Sequence, residues 1–156
     1  MVEQSGNVTP GHGAKWVTNG VIADAGANPY SQRVLASLPN ADFNSTDDQA
    51  ILLPTTLLYF QLTGIIIAGA TASLAVAVGG FYPEAFKNGS PIVSDTQDYT
   101  ALTTPLLLMN ATLTAYAGAQ RFSRTQLPDW AIYFSLSDAA GLAATADIFL
   151  LGVELG

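Results

Sequence analysis

The sequence has no cysteine and a single histidine, His12, among its 156 residues. Without thiols the chain has no disulfide framework, no cysteine nucleophile and no zinc ribbon. A catalytic triad needs a nucleophile, a base and an orienting acid in one place, and His12 has no such residues near it in the sequence. One histidine without cysteine also disfavours a transition-metal site. We therefore expect no enzyme activity, no cofactor and no metal site, and a structural role for His12.

Charge is scarce as well, and basic charge most of all. Charged residues make up 11% of the chain, against about 25% in typical soluble proteins. Twelve acidic side chains against five basic ones give a formal net charge of −7. Binding to nucleic acid depends on clustered Lys and Arg, so no nucleic-acid partner is expected. A surface with so little charge predicts contact with another protein.

The run from residue 49 to residue 83 contains no charged residue at all. Residues 57–78 are long enough for a membrane helix, which needs about 20 apolar residues. However, the run contains four glycines and has no Lys or Arg at its edges to anchor it in a bilayer. Apolar residues also recur at every second position, as at Leu58, Phe60 and Leu62, and a period of two is typical of strands. We therefore predict strands and no membrane partner, with a membrane protein such as a holin as the alternative.

Short apolar runs separated by turn signals continue through the second half of the chain. This pattern predicts an all-β domain, a β-sandwich or jelly roll. Eight strands are expected, at residues 50–53, 56–63, 64–68, 73–79, 92–94, 107–115, 132–137 and 146–153. In the seventh, the even-numbered residues from Trp130 to Leu136 form the core face.

The last predicted strand is apolar on both faces. Ile148 and Leu150 share one face, whereas Phe149, Leu151 and Val153 lie on the other. Strands that are apolar on both sides are usually covered on both sides. Because the domain is small, we expect a second copy of the chain to supply the second cover, with Phe149, Leu151 and Val153 at a homo-oligomer interface.

The N-terminal part has a different composition, rich in Gly, Asn, Pro and Ser. Pro10, Pro29 and Pro39 remove backbone donors and favour extended geometry. A solvated linker seldom contains residues such as Trp16 and Ile22. Residues 1–45 are therefore predicted to be an extended attachment arm, without much structure of its own, that becomes ordered on a partner, and residues 46–156 to be the β-sandwich domain.

A segment of this arm resembles the opening of many tailed-bacteriophage virion proteins. Their pattern is V-T-P-G-H, then Trp, then G-V-[IL]-x-D-x-G. It is matched here by Val8, Thr9, Pro10, Gly11, His12, Trp16, Gly20, Val21, Ile22, Asp24 and Gly26. The resemblance implies a segment that attaches the protein to the virion.

The globular part resembles a recurrent phage protein module at residues 74–82, 87–93, 99–103 and 133–149. Together the two resemblances imply a structural virion protein at the surface of the phage particle. We expect a capsid decoration (cement) or head-spike base protein that forms a homotrimer and binds the major capsid protein or another virion protein. The alternative is a tail or fibre component, or a glycan-binding module.

Three polar or aromatic groups leave further alternatives open. Asp47-Asp48 and Asp95 with Asp98 suit a calcium site only weakly, and aspartates that cap turns are the ordinary interpretation. Most aromatic residues have core positions, and exposure of Trp130 or Tyr82 would instead favour a sugar-binding face. Arg121 and Arg124 flank Phe122 and are candidates for contact with an acidic neighbour, although a solvated pair is the default.

Overall fold

Two short strands lie near the N-terminus and nine further elements follow. The computed structural model describes residues 31–155, and before them the backbone of β1 (His12–Val17) and β2 (Val21–Ala27). β1 and β2 pair antiparallel, with Trp16 opposite Ile22 and Val17 opposite Val21. They belong to a first compact unit, Met1–Ser31, which is distinct from a second unit, Gln32–Gly156.

The second unit is an all-β sandwich of two antiparallel sheets, which confirms the predicted fold class. Its elements are β3 (Arg33–Asp42), β4 (Gln49–Leu52), β5 (Phe60–Ala68), β6 (Val78–Tyr82), β7 (Leu108–Ala111), α1 (Ala115–Ala119), β8 (Arg121–Phe122), β9 (Ala131–Asp138) and β10 (Thr145–Glu154). One sheet has the order β3-β10-β5-β7, with β8 also pairing β5. The other has the order β4-β9-β6.

The uncharged central run forms strands, as its period of two predicted. Phe60, Leu62, Ile65 and Ile67 of β5 are buried in the core. Gly64 does not end the strand, because it continues the pairing with β10 opposite Leu151. The expected strands 56–63 and 64–68 are therefore one strand, which begins at Phe60, so residues 56–59 were wrongly assigned to a strand. Among the described residues, none of the helices has the length and apolar character needed to cross a membrane.

The strand predicted at residues 73–79 is wrong over most of its length. Leu74 and Ala77 are buried, whereas Val76 is 61% exposed, so the buried positions are three apart and not two. The Ala77 N–H donates to the Leu74 carbonyl at 3.0 Å, which closes a turn. Alternating small and large apolar residues fit this turn as well as they fit a strand, and β6 begins only at Val78.

The predicted boundary of the arm also needs correction. Residues 33–42, assigned to the arm, form β3, which pairs along β10. Leu35 and Ala41 are buried in the common core. The segment is extended, as its composition suggested, but its partner lies in the same chain. The compact unit therefore begins at Gln32 rather than at residue 46.

Two other predicted strands are shorter than expected. Residues 92–94 contribute only isolated bridges, from Val93 to Phe81 and to Leu113. The expected strand 107–115 ends at Ala111, and a short helix begins at its far end. The Thr114 hydroxyl accepts a hydrogen bond from the Ala117 N–H, and this N-cap starts α1.

Aromatic rings fill the core between the sheets. Phe43 contacts Tyr99 edge-on, with ring centroids 5.2 Å apart, and also contacts Phe134, with centroids 4.8 Å apart. Trp130, Ile132, Phe134 and Leu136, predicted as one core face, are all buried. Edge-to-face and tilted ring pairs each contribute about 1 kcal/mol beyond the area that they bury.

Candidate interaction surface

The five-stranded sheet has an apolar side that faces away from the core. Ile148 and Leu150 of β10 are fully buried, whereas Phe149, Leu151 and Val153 on the other face are half-buried. Residues opposite each other in antiparallel strands point to the same face. Ile66 of β5 is opposite Phe149. Val34 of β3, which is 53% exposed, is opposite Leu151.

These five residues, Val34, Ile66, Phe149, Leu151 and Val153, are called the outer apolar face below. The structure thus brings the three predicted interface residues together and adds one residue from each neighbouring strand. Sequence reasoning missed Val34 because it assigned that residue to the arm.

A second exposed apolar stretch precedes the edge strand β7. Leu106 is 94% exposed, Leu107 42% and Leu108 62%. Leu108 is opposite Ala68 at the end of β5, so this stretch borders the same sheet. Leu107 and Leu108 fall within the expected strand 107–115, and because consecutive residues of a strand point to opposite faces, one of the two had to face away from the core.

The predicted attachment residues lie in the first unit. Val8, Thr9, Pro10 and Gly11 fall outside the described residues. His12, Trp16, Val21, Ile22 and Asp24 belong to β1 and β2, where Asp24 is opposite Ala14. Residues 12–17 and 21–27 therefore pair with each other, which corrects the expectation of little structure within the arm.

Two of the four candidate calcium-binding aspartates, Asp48 and Asp98, accept hydrogen bonds within the chain through their carboxylates. Thr100 donates to Asp98 through its N–H and its hydroxyl, so these bonds hold the pKa of Asp98 below its usual range. The Asp48 carboxylate accepts the Phe86 N–H from another loop. Over residues 31–155, no group of three or more Asp, Glu or His side chains converges as a metal site would require.

Most aromatic side chains are core residues, as predicted. Tyr82 and Trp130, whose exposure would have favoured a sugar-binding face, are 4% exposed. Burial, together with the nearby Asp95 and Asp48 charges, raises the pKa of Tyr82 to about 12. Burial also raises the pKa of Tyr99, whose hydroxyl donates to the Gly79 carbonyl at 3.0 Å.

Two arginines lie on aromatic rings. The Arg121 guanidinium carbon is 4.0 Å from the centroid of the Tyr59 ring, and that of Arg124 is 4.6 Å from the centroid of the Trp130 ring. A shallow groove of about 200 Å³ beside them is lined by Leu58, Tyr59, Ser123, Arg124 and Thr125. In the described part of the chain, neither arginine forms an ion pair, and the one ion pair there joins Arg33 and Glu154.

Comparison of the chain with protein-family models, curated proteins and solved structures found no match.

Proposed function

We propose that this protein is a structural component of a tailed-bacteriophage virion that decorates or stabilises the capsid as a cement or head-spike base protein. It acts by adhesion: copies associate with one another through the outer apolar face, and the N-terminal unit attaches them to the major capsid protein or to another virion protein. The phage assignment rests on the sequence resemblances.

The outer apolar face is the main observation that supports an adhesive function. Five apolar side chains from three adjacent strands are half-buried or exposed on a sheet whose opposite side already fills the core. Burying apolar area contributes about 25 cal/mol per Å². A face of this kind supports association between copies, and the arrangement that we propose is a homotrimer.

The division of the chain into two compact units supports the attachment role. The residues that resemble the virion motif lie within Met1–Ser31, and the sandwich forms a compact unit without them. An attachment segment separate from the folded domain can become ordered on a neighbour without disturbing the domain's core.

Self-association is tested by size-exclusion chromatography with light scattering at micromolar concentration. In about 1 M NaCl, which screens ionic contacts between copies, we expect three times the chain mass for the native protein and the single-chain mass for F149S/L151S. Val76→Ser is the matched control, because Val76 is an exposed apolar residue in a turn away from this face. A monomeric native protein would contradict the proposal.

Attachment is tested by deleting residues 1–31 and adding the protein to capsids stripped of it. The deletion ends at residue 31, because a longer one would remove β3 from the sheet. We expect a folded domain that no longer binds. If the truncated protein still decorates the capsids, the attachment role is wrong.

A further inference from the structure

The three arginines of the described residues lie at one end of the sandwich. At this end β5 begins and β10 finishes, since Phe60 is opposite Glu154. Arg33 is opposite Gly152, one residue before Val153 near the end of β10, and Arg121 is opposite Gln61, near the start of β5.

Arg124 belongs to the same end, because it covers the ring of Trp130. This ring contacts Phe60, with centroids 6.0 Å apart. Arg33, Arg121 and Arg124, together with Tyr59 and Trp130, form what we call the arginine end. Two acidic residues, Glu154 and Asp129, accompany them there.

The backbone at Trp130 is held in an unfavourable conformation that fixes this ring. Its φ is +52°, a region that bulky residues rarely adopt. The indole Nε1–H donates to the Pro54 carbonyl at 2.9 Å, and the backbone N–H donates to the Leu127 carbonyl at 2.9 Å. Such strain persists only where surrounding contacts fix the geometry. The ring is therefore a rigid support that orders the Arg124 guanidinium before any partner binds.

Arg121 and Arg124 are exposed, and each is ordered on an aromatic ring. An arginine in this state has lost part of its side-chain freedom, so pairing with a carboxylate costs less ordering entropy. Within residues 31–155, no carboxylate lies within ion-pair distance of either. Both guanidinium groups are therefore available to form ion pairs with carboxylates of a second molecule.

Aspartates collect at the opposite end. Asp138 at the end of β9 and Asp98 are both opposite Val78. The Asp95 carbonyl accepts the Ser137 hydroxyl at 3.4 Å, so Asp95 lies beside them.

The other sheet contributes two more aspartates to this end. Asp42 is opposite Thr145 at the start of β10, and Asp147 is opposite Ala68 at the end of β5. Phe43 joins the two sheets here, since its N–H donates to the Ala144 carbonyl at 2.9 Å and its carbonyl accepts the Ala140 N–H at 2.7 Å. Asp42, Asp95, Asp98, Asp138 and Asp147 form the aspartate end.

One basic side chain, that of Lys87, lies near the aspartate end. The Lys87 ammonium donates to the Ser137 hydroxyl at 2.8 Å. Five carboxylates against this one ammonium leave the end strongly acidic, whereas at the arginine end the cations outnumber the carboxylates. The aspartate end of the sandwich is therefore negatively charged and the arginine end positively charged.

The two ends are far enough apart to act separately in physiological salt. β9 has 8 residues, which at about 3.3 Å per residue span about 23 Å. The Debye length at physiological ionic strength is about 8 Å. A neighbour at one end is therefore screened from the other end and responds to the local charge rather than to the net charge of the chain.

We infer that copies of this protein associate head to tail, with the arginine end of one copy receiving carboxylates from the aspartate end of the next. Guanidinium groups bind carboxylates through paired hydrogen bonds. Such a contact is heterologous, so it repeats into a ring or a row. The inference rests on the self-association named in the proposed function and adds a contact through the ends of the strands to the one through the outer apolar face.

Charge reversal at each end tests the contact by sedimentation velocity. R121E/R124E makes both ends acidic, whereas D95K/D138K leaves three of the five aspartates against three ammonium groups, so the aspartate end loses its strong negative charge. We expect each variant alone to lose at least about tenfold in the end-to-end association constant. An equimolar mixture should recover one contact, because the aspartate end of R121E/R124E and the arginine end of D95K/D138K are both unaltered. Native association should also weaken between about 0.1 and 1 M NaCl.

Ala50→Lys is the control, since Ala50 is exposed and lies within β4 opposite Tyr133, outside both ends. It should leave the association within about twofold of the native protein. Circular dichroism and thermal melting of each variant verify that it is folded. If the folded variants and their mixture sediment like the native protein at every salt concentration, the inference is wrong.

The experiment separates this inference from the proposed function. F149S/L151S should remove an association step that is insensitive to salt, whereas the charge reversals should remove one that salt weakens. If F149S/L151S leaves association unchanged while the charge reversals weaken it, the role of the outer apolar face is contradicted. If only F149S/L151S weakens association, the head-to-tail contact is contradicted.

Discussion

Gly152 of β10 lies directly against Leu35 of β3. A Cβ added at Gly152 would overlap Leu35 Cδ1 and would lie 2.5 Å from the carbonyl oxygen of Gln61. The close approach lets β10 pack between its two neighbours at the register irregularity that follows Leu151. Only the absence of a side chain makes this arrangement possible.

Gly152→Ala should therefore destabilise the fold by about 2–3 kcal/mol, because the added methyl group meets backbone as well as side-chain atoms. Urea denaturation measures the loss. Gly64→Ala is the matched control: its nearest neighbour would be Leu151 Cδ1 at 3.9 Å, so little change is expected. Equal losses in the two variants would contradict the packing described.

Tyr99→Phe should reduce the free energy of unfolding by about 1–2 kcal/mol. The change removes the donor of a buried hydrogen bond and leaves the Gly79 carbonyl without that partner. Chemical denaturation gives the difference. Tyr116→Phe, at a tyrosine that is 40% exposed, should be nearly neutral. A Tyr99→Phe protein as stable as the native one would show that water replaces the bond.

Stability should fall as the pH rises from about 10 to about 12. Because the folded-state pKa of Tyr82 is about 12, against 10.0 as its ordinary value, the unfolded chain loses this proton first. The stabilisation is therefore complete below pH 10 and declines by up to about 1.4 kcal/mol per pH unit above it. Tyr99 acts in the same direction.

Thermal melting across this range, with tyrosinate absorbance as the titration signal, measures that decline. Tyr82→Phe should make the decline shallower. An unchanged slope in this variant would rule out Tyr82 as a source of the pH dependence.

Phe86→Gly should increase stability by about 0.5–1 kcal/mol. Phe86 has a φ of +61° and its side chain is 92% exposed, so glycine relieves backbone strain without removing core packing. Differential scanning calorimetry would detect the rise in Tm. Lys87→Gly, at a φ of +55°, should gain less, since it loses the hydrogen bond to Ser137. A lower Tm for Phe86→Gly would mean that the exposed ring has contacts that stabilise the chain.

The sequence predicted the strands whose two faces differ in polarity. β9 is the clearest case, because the even-numbered residues Ile132, Phe134 and Leu136 are buried as the alternation required. The strand prediction was wrong where a loop contributes core residues, as at Leu74 and Ala77, because a buried turn is as apolar as a strand. The outer apolar face was partly predictable, since β10 is apolar on both sides.

By itself, the sequence determined that the chain is rich in strands, because a period of two is a local property of the residues. It also determined the scarcity of charge. Only the tertiary structure decided that β3 belongs to the sandwich, because its partner β10 lies far along the chain and pairing between distant strands leaves no local signal. The separation of the arginines from the aspartates was decided in the same way: residues scattered through the sequence meet at one end or the other only when the strands align.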